Sequence, residues 1–173
     1  MPPRFGGSLT EDRGLLTTAI NLLRAIAVED TVAYGQLTRL LADRGDEADL
    51  NELRSHANAG AQQAQQNLAF ALEARGDEGA LTELRQRADA GDPMAQGRLT
   101  WLLRFRFRGD ETALTELRTR ANAGDNSAQS GLALLLVERG DEGALTELRT
   151  RANAGEDFAQ HLLASLLVER GDE

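Results

Sequence analysis

The chain has no cysteine, so disulfides, thiolate metal sites and cysteine nucleophiles are excluded. It has no lysine either: all 19 of its basic residues are arginine. Aromatic residues make up only 4% of the sequence, and the 41% apolar fraction is mostly Leu and Ala with few β-branched side chains. That is a helix-forming vocabulary. No apolar stretch approaches the ~20 residues needed to span a bilayer. The opening Met1-Pro2-Pro3-Arg4-Phe5-Gly6-Gly7-Ser8 lacks the apolar core of a secretory signal. Acidic residues outnumber basic ones, and the net charge of −9 argues against non-specific binding to nucleic acid or an anionic membrane, since both need a broad positive field. A soluble cytoplasmic protein is the expectation. Richness in Arg and Ala without Lys reads as a GC-rich, bacterial coding sequence.

What the chain does have is repetition. Residues 139–155 read Arg-Gly-Asp-Glu-Gly-Ala-Leu-Thr-Glu-Leu-Arg-Thr-Arg-Ala-Asn-Ala-Gly, and close copies begin at Arg44, Arg75 and Arg108. A fifth start stands at Arg170-Gly171-Asp172-Glu173, so successive starts are spaced by 31, 33, 31 and 31 residues. A fixed period in this range indicates a stacked repeat array. Arg13-Gly14 opens a more divergent first copy. The units are 13–43, 44–74, 75–107, 108–138 and 139–169, forming one helical-repeat domain over 13–169. Residues 1–12 are expected to be a flexible leader and the start of the first helix. Residues 170–173 would begin a truncated sixth unit.

Within a unit, each polar residue has a structural role. In 108–138, Asp110 is placed to cap a helix N-terminus, Glu111 lies in its first turn, and Arg118 and Arg120 lie toward its C-terminus, the order the helix dipole favours. Ala113, Leu114, Leu117 and Ala121 fall on one stripe at a period of 3.6. Gly124 ends that helix, and Asp125 or Asn126 caps the next, which buries Ala128, Leu132, Leu135 and Leu136 and closes at Arg139-Gly140. The expected fold is all-α: an α-solenoid of five helical hairpins with a 31-residue repeat. The recurring Arg-Gly-Asp is explained by the same capping and needs no integrin. The first helix is apolar nearly all round, with Leu15, Leu16, Ala19, Ile20, Leu22, Leu23 and Ile26. It reads as a cap or as a helix that meets another subunit.

The run Ala88-Asp89-Ala90-Gly91-Asp92-Pro93-Met94-Ala95-Gln96-Gly97-Arg98-Leu99 resembles the Sel-one-like branch of tetratricopeptide-like repeats, as do Ala121–Gln129 and its copy at 152–160. In that family a helix ends in Ala-x-x-Gly and the next carries Ala-Gln followed by Leu. The period here is shorter, and Arg-Gly-Asp-Glu stands where the family has a Gly-x-Gly loop. The resemblance implies an adaptor or scaffold that binds protein segments on a curved surface, and it implies no activity.

Positions that vary between copies are the informative ones. In the second helices they are Gln63, Asn67 and Phe70; Met94, Arg98 and Trp101; Ser127, Gly131 and Leu134; Phe158, Leu162 and Ser165. Spacings of four and three put each set on one helical face. That face either reads a partner or packs on the next hairpin. The stretch Arg104-Phe105-Arg106-Phe107-Arg108 contains the two residues that lengthen one spacing to 33, and with Arg98 and Trp101 it makes a local cluster of four Arg without an acidic residue in the run. It reads either as a docking patch for an acidic peptide or phosphorylated segment, or as an extended helix whose Phe residues fill the wedge made by the insertion. The candidate partner-binding residues are therefore Phe70, Met94, Arg98, Trp101, Arg104, Phe105, Arg106, Phe107 and Phe158.

Catalysis finds no motif. His56 and His161 sit in unrelated positions without a second ligand at metal spacing, and His56 fills the slot of Arg87, Arg120 and Arg151, where the Glu four residues earlier makes an i,i+4 pair. No cofactor or metal is expected. The expected function is a non-enzymatic scaffold for a protein or peptide. The alternatives are a self-assembling repeat protein, joined end to end or through its first helix, and a designed repeat protein without a natural partner.

Overall fold

The computed structural model describes residues 9–27, 30–106 and 109–171. The expected leader up to Ser8, Phe107 and Arg108 of the insertion, and Asp172-Glu173 lie outside these residues. All regular structure among the described residues is helical: α1 (Leu9–Ile26), α2 (Thr31–Arg44), α3 (Glu47–Asn58), α4 (Gln62–Arg75), α5 (Glu78–Asp89), α6 (Pro93–Trp101), α7 (Glu111–Asn122), α8 (Asn126–Arg139), α9 (Glu142–Asn153) and α10 (Asp157–Arg170). A π-helical stretch, Leu102–Arg106, continues α6. The fold is all-α.

Helix ends follow from the polar residues between the apolar stripes. Asp110 accepts from Thr112 N at 2.8 Å and Asp125 from Ala128 N at 3.0 Å, so two orphan N–H groups at the starts of α7 and α8 are satisfied. Hydrogen bonding to Thr112 holds the Asp110 carboxyl below its ordinary value, and the Ala144 N–H does the same for Asp141 at the start of α9. Gly140 closes α8 at φ +62°, donating its N–H to Leu136 O at 3.1 Å, a left-handed cap that an L side chain would strain.

A second bond, not read from the sequence, ties the two helices of a repeat together. Gln65, Gln96, Gln129 and Gln160 each donate from Nε2 to the carbonyl eight residues back, on Ala57, Ala88, Ala121 and Ala152, at 3.4, 3.3, 3.2 and 2.9 Å. The conserved-looking Ala-Gln of the sequence is thus a polar staple beside a small apolar contact, since Ala64, Ala95, Ala128 and Ala159 are fully buried.

The chain divides into two compact units, Met1–Ala80 and Leu81–Glu173, with the division inside α5. In the first, α1 packs on α2, α2 on α3 and α4, and α3 on α4. Its core is built from Ile20, Leu37, Leu41, Leu50, Leu53, Leu68 and Leu72. In the second, α8 is central and meets α6, α7, α9 and α10, over a core that includes Leu99, Leu117, Leu132 and Leu136. The stripe Ala113, Leu114, Leu117 and Ala121 is buried as read. On α8 the buried set is Ala128, Gly131, Leu132, Ala133 and Leu136; Leu135, expected in the core, is only half-buried. Gly131 is buried instead because α6 approaches there: a Cβ built on it would lie 2.3 Å from Thr100 Cγ2.

The first helix separates into two sides. Ile20 is fully buried, whereas Leu15, Leu22 and Ile26 remain 71%, 66% and 54% exposed. Spacings of seven and four align these three along one side of α1.

Candidate partner-binding surface

The second helix of this unit, α6 with its π-helical continuation, is as long as α4 and α8, so the two residues that lengthen the period do not lie within it. α6 begins on the Asp92 cap with Pro93 in its first turn, proceeds through buried Leu99 and Thr100, and passes into the π-helical Leu102–Arg106. Single π-helical turns of this kind recur at functional sites. Leu102 and Leu103 lie in the core while Trp101 and Phe105 are exposed, the pattern that α4 shows with Ala71 and Leu72 buried and Phe70 exposed. The two rings lie 5.5 Å apart in a tilted stack, and the Arg104 guanidinium sits 4.7 Å from the Phe105 ring centroid. Phe105 therefore fills no wedge between helices.

The Arg of this stretch differ in environment. Arg104 donates to Glu138 Oε1 at 2.6 Å, its side chain is largely buried, and its Nε has no hydrogen-bond partner. No acidic residue lies within the stretch itself; Glu138, 34 residues away in sequence, reaches Arg104 from α8. Arg106 is exposed and pairs with no described residue. Arg98 is half-buried on α6. Beside the stretch lies a cavity of about 290 Å³, whose walls include Leu103, Arg104, Leu114, Leu135, Glu138 and Arg139.

The other candidates fall as follows. Phe70 on α4 is 40% exposed and Phe158 on α10 is 37% exposed, while Met94 on α6 is half-buried. Phe158 borders a shallow cavity with His161, Gln129 and Ser130. Within the varying stripe, Asn67 donates to Thr38 Oγ1 at 2.9 Å, and Gly131 is the close approach to Thr100. Those two positions serve packing. Trp101 and Phe105 are brought together, with Arg106 next to Phe105 in the chain.

Electrostatics among the opening helices are organised by Glu–Arg bonds. Glu116 on α7 accepts from Arg85 of α5 and from its own Arg120; Glu147 on α9 accepts from Arg118 of α7 and from Arg151. Burial pushes the Glu147 carboxyl up, but the guanidiniums of Arg118 and Arg151 outweigh it and hold it below its ordinary value. The expected i,i+4 pairs are thus present at Arg87–Glu83, Arg120–Glu116 and Arg151–Glu147. At His56 the pattern is different. Glu52 binds Arg24 of α1 instead, and the His56 ring stands edge-on to Tyr34, centroids 5.3 Å apart. Tyr34 was missed in the sequence, although a signal existed: it occupies the slot filled by Gln65, Gln96, Gln129 and Gln160. Burial raises its hydroxyl pKa, and the hydroxyl has no partner.

Among the described residues, no group of three or more His, Asp and Glu could hold a metal ion, and no helix is long and apolar enough to cross a membrane. Compared with family models, curated proteins and solved structures, the chain finds no match.

Proposed function

We propose that this chain is a non-enzymatic interaction scaffold, a helical-repeat α-solenoid similar to the Sel-one-like group, which holds a protein or peptide on its surface. The observation that carries this reading is where the aromatic residues go. The core is Leu and Ala, while Trp101 and every described Phe remain at least 37% exposed. A partner that covers the exposed part of such a ring recovers a share of the about 1.5–3 kcal/mol that full burial of a Phe-sized side chain gives. Trp101, Phe105 and Arg106 form the densest group, with flat apolar surface beside an exposed guanidinium. That combination suits an acidic or phosphorylated peptide segment.

The test is affinity capture from the native host with the chain and with its Trp101→Ala/Arg104→Ala/Arg106→Ala variant. Loss of at least one captured protein is expected. Because Arg104 also bonds Glu138, the double variant Trp101→Ala/Arg106→Ala, which leaves that bond intact, should show the same loss. If the triple variant retains every captured protein, the assignment to this patch is wrong.

A second reading, self-association through the first helix, is favoured by the exposed line of Leu15, Leu22 and Ile26. Light scattering across a concentration series separates the two, because a strictly monomeric species at high concentration rules self-association out.

A further inference from the structure

One glutamate in the opening helix of a repeat recurs as an anchor for two guanidiniums. Glu116 Oε1 accepts from Arg85 Nε at 3.0 Å, from the preceding opening helix, and from Arg120 Nε at 3.2 Å, four residues on along its own. Glu147 Oε1 accepts from Arg118 Nε at 3.1 Å and Arg151 Nε at 3.3 Å in the same way. The second Arg of each pair then crosses to the end of the preceding opening helix. Arg120 reaches Asp89 Oδ1 at 2.8 Å, and Arg151 reaches Asn122 Oδ1 at 3.1 Å. A cation is favoured there because helix carbonyls point outward at a C-terminus.

The first two repeats keep half of this arrangement. Glu52 on α3 stands where Glu116 and Glu147 stand, and Arg24 of α1 supplies the first guanidinium, its Nε 3.1 Å from Oε2. The second is missing, because His56 occupies the Arg120 and Arg151 position. Ala27 occupies the position of Asp89 and Asn122, and Tyr34 replaces the stapling Gln. Among the described residues, Glu52 accepts from Arg24 alone. These exchanges leave a groove of about 410 Å³ lined by Arg24, Ala27, Tyr34, Leu37, Glu52 and His56, with the Tyr34 hydroxyl unpartnered beside it.

We propose that this groove is a receptor for an arginine side chain of a partner protein. The incoming guanidinium takes the vacant place on Glu52, as Arg120 does on Glu116 and Arg151 on Glu147. The Tyr34 and His56 rings supply aromatic wall for a planar cation, and Leu37 and Ala27 supply apolar surface for its methylene stem. Arginine fits better than lysine because the other two sites are built on a fork that bonds a carboxylate and a second acceptor together. The net charge of −9 draws basic segments toward the chain. This site does not rest on the Trp101 patch.

The two histidines provide the test, since His56 lines the groove and His161 does not. The full chain is titrated with N-acetyl-argininamide and, separately, with N-acetyl-lysinamide, while the imidazole proton resonances are followed by NMR. The His56 resonance should move saturably with the arginine compound while His161 stays, and the lysine compound should bind about tenfold more weakly. In His56→Arg, which restores the residue of the three later repeats, helix content by circular dichroism should be retained and arginine binding, followed on the Tyr34 ring resonances, should vanish. Equal, non-saturating movement of both histidines would show general attraction to an acidic protein and overturn the proposal. So would unchanged binding by a folded His56→Arg.

Discussion

Gly131→Ala should destabilise the chain, although the same exchange stabilises most helices. Replacing a helix-interior Gly with Ala ordinarily gains about 0.5–1 kcal/mol, because the glycine backbone loses more freedom on folding. Gly97 on α6 has nothing within 4 Å of an added Cβ, so Gly97→Ala should show that gain in full. At Gly131 the new methyl would stand 2.3 Å from Thr100 Cγ2 and 3.3 Å from Arg104 Cδ. The Arg104 stem can bend aside, but Thr100 is buried on α6, so relief requires the helices to separate. Overpacking of this kind costs about 1–3 kcal/mol, which exceeds the propensity gain. The net expectation is a loss of about 0.5–2 kcal/mol, read as a lower urea midpoint at unchanged slope by circular dichroism. Thr100→Ala supplies the rescue. The Thr100 hydroxyl has no hydrogen-bond partner, so its removal breaks no bond. Without Cγ2, the nearest Thr100 atom would be Cβ at 3.8 Å, an ordinary contact. In that background Gly131→Ala should recover the benefit seen at Gly97, giving a coupling of about 1–3 kcal/mol. A Gly131→Ala midpoint that rises alongside Gly97→Ala, or a double variant without coupling, would refute the close helix approach.

Two further measurements probe packing and charge. Leu132→Ala removes a fully buried side chain and should cost about 2–5 kcal/mol, while Leu163→Ala, at the equivalent but half-buried position of α10, should cost about half as much or less, both read from urea midpoints. In acid, Asp110, Asp141 and Glu147 should each withdraw stabilisation, since their carboxyls sit below the ordinary values of 3.8, 3.8 and 4.5 in the folded chain. A lowered folded value means the contribution is complete above the ordinary value and disappears as pH falls through the lowered one. Urea midpoints should thus be flat from neutrality to about pH 5 and decline below it, and Glu147→Gln should shrink that decline. An undiminished decline in the variant would remove Glu147 from the set.

How far the chain could be read without coordinates depended on distance along it. Helix starts at Asp110 and Asp125, the stop at Gly140 and the stripe Ala113–Leu114–Leu117–Ala121 are local, because caps and 3.6 periodicity act within a few residues. Those features the sequence determined by itself, and with them the all-α character. The insertion is visible in the sequence as a break in the period, but the π-helical turn at Leu102–Arg106 is not. Tertiary structure alone decided which Arg are neutralised. Arg104, in a stretch of sequence without an acidic residue, finds Glu138 on α8; the His56 ring meets Tyr34, while Glu52, four residues before it, bonds Arg24 from another helix. In each case the competing partner lies about 30 residues away, one repeat along the chain. A repeating sequence offers the same charge at the same place in every unit, and only packing determines which copy reaches it.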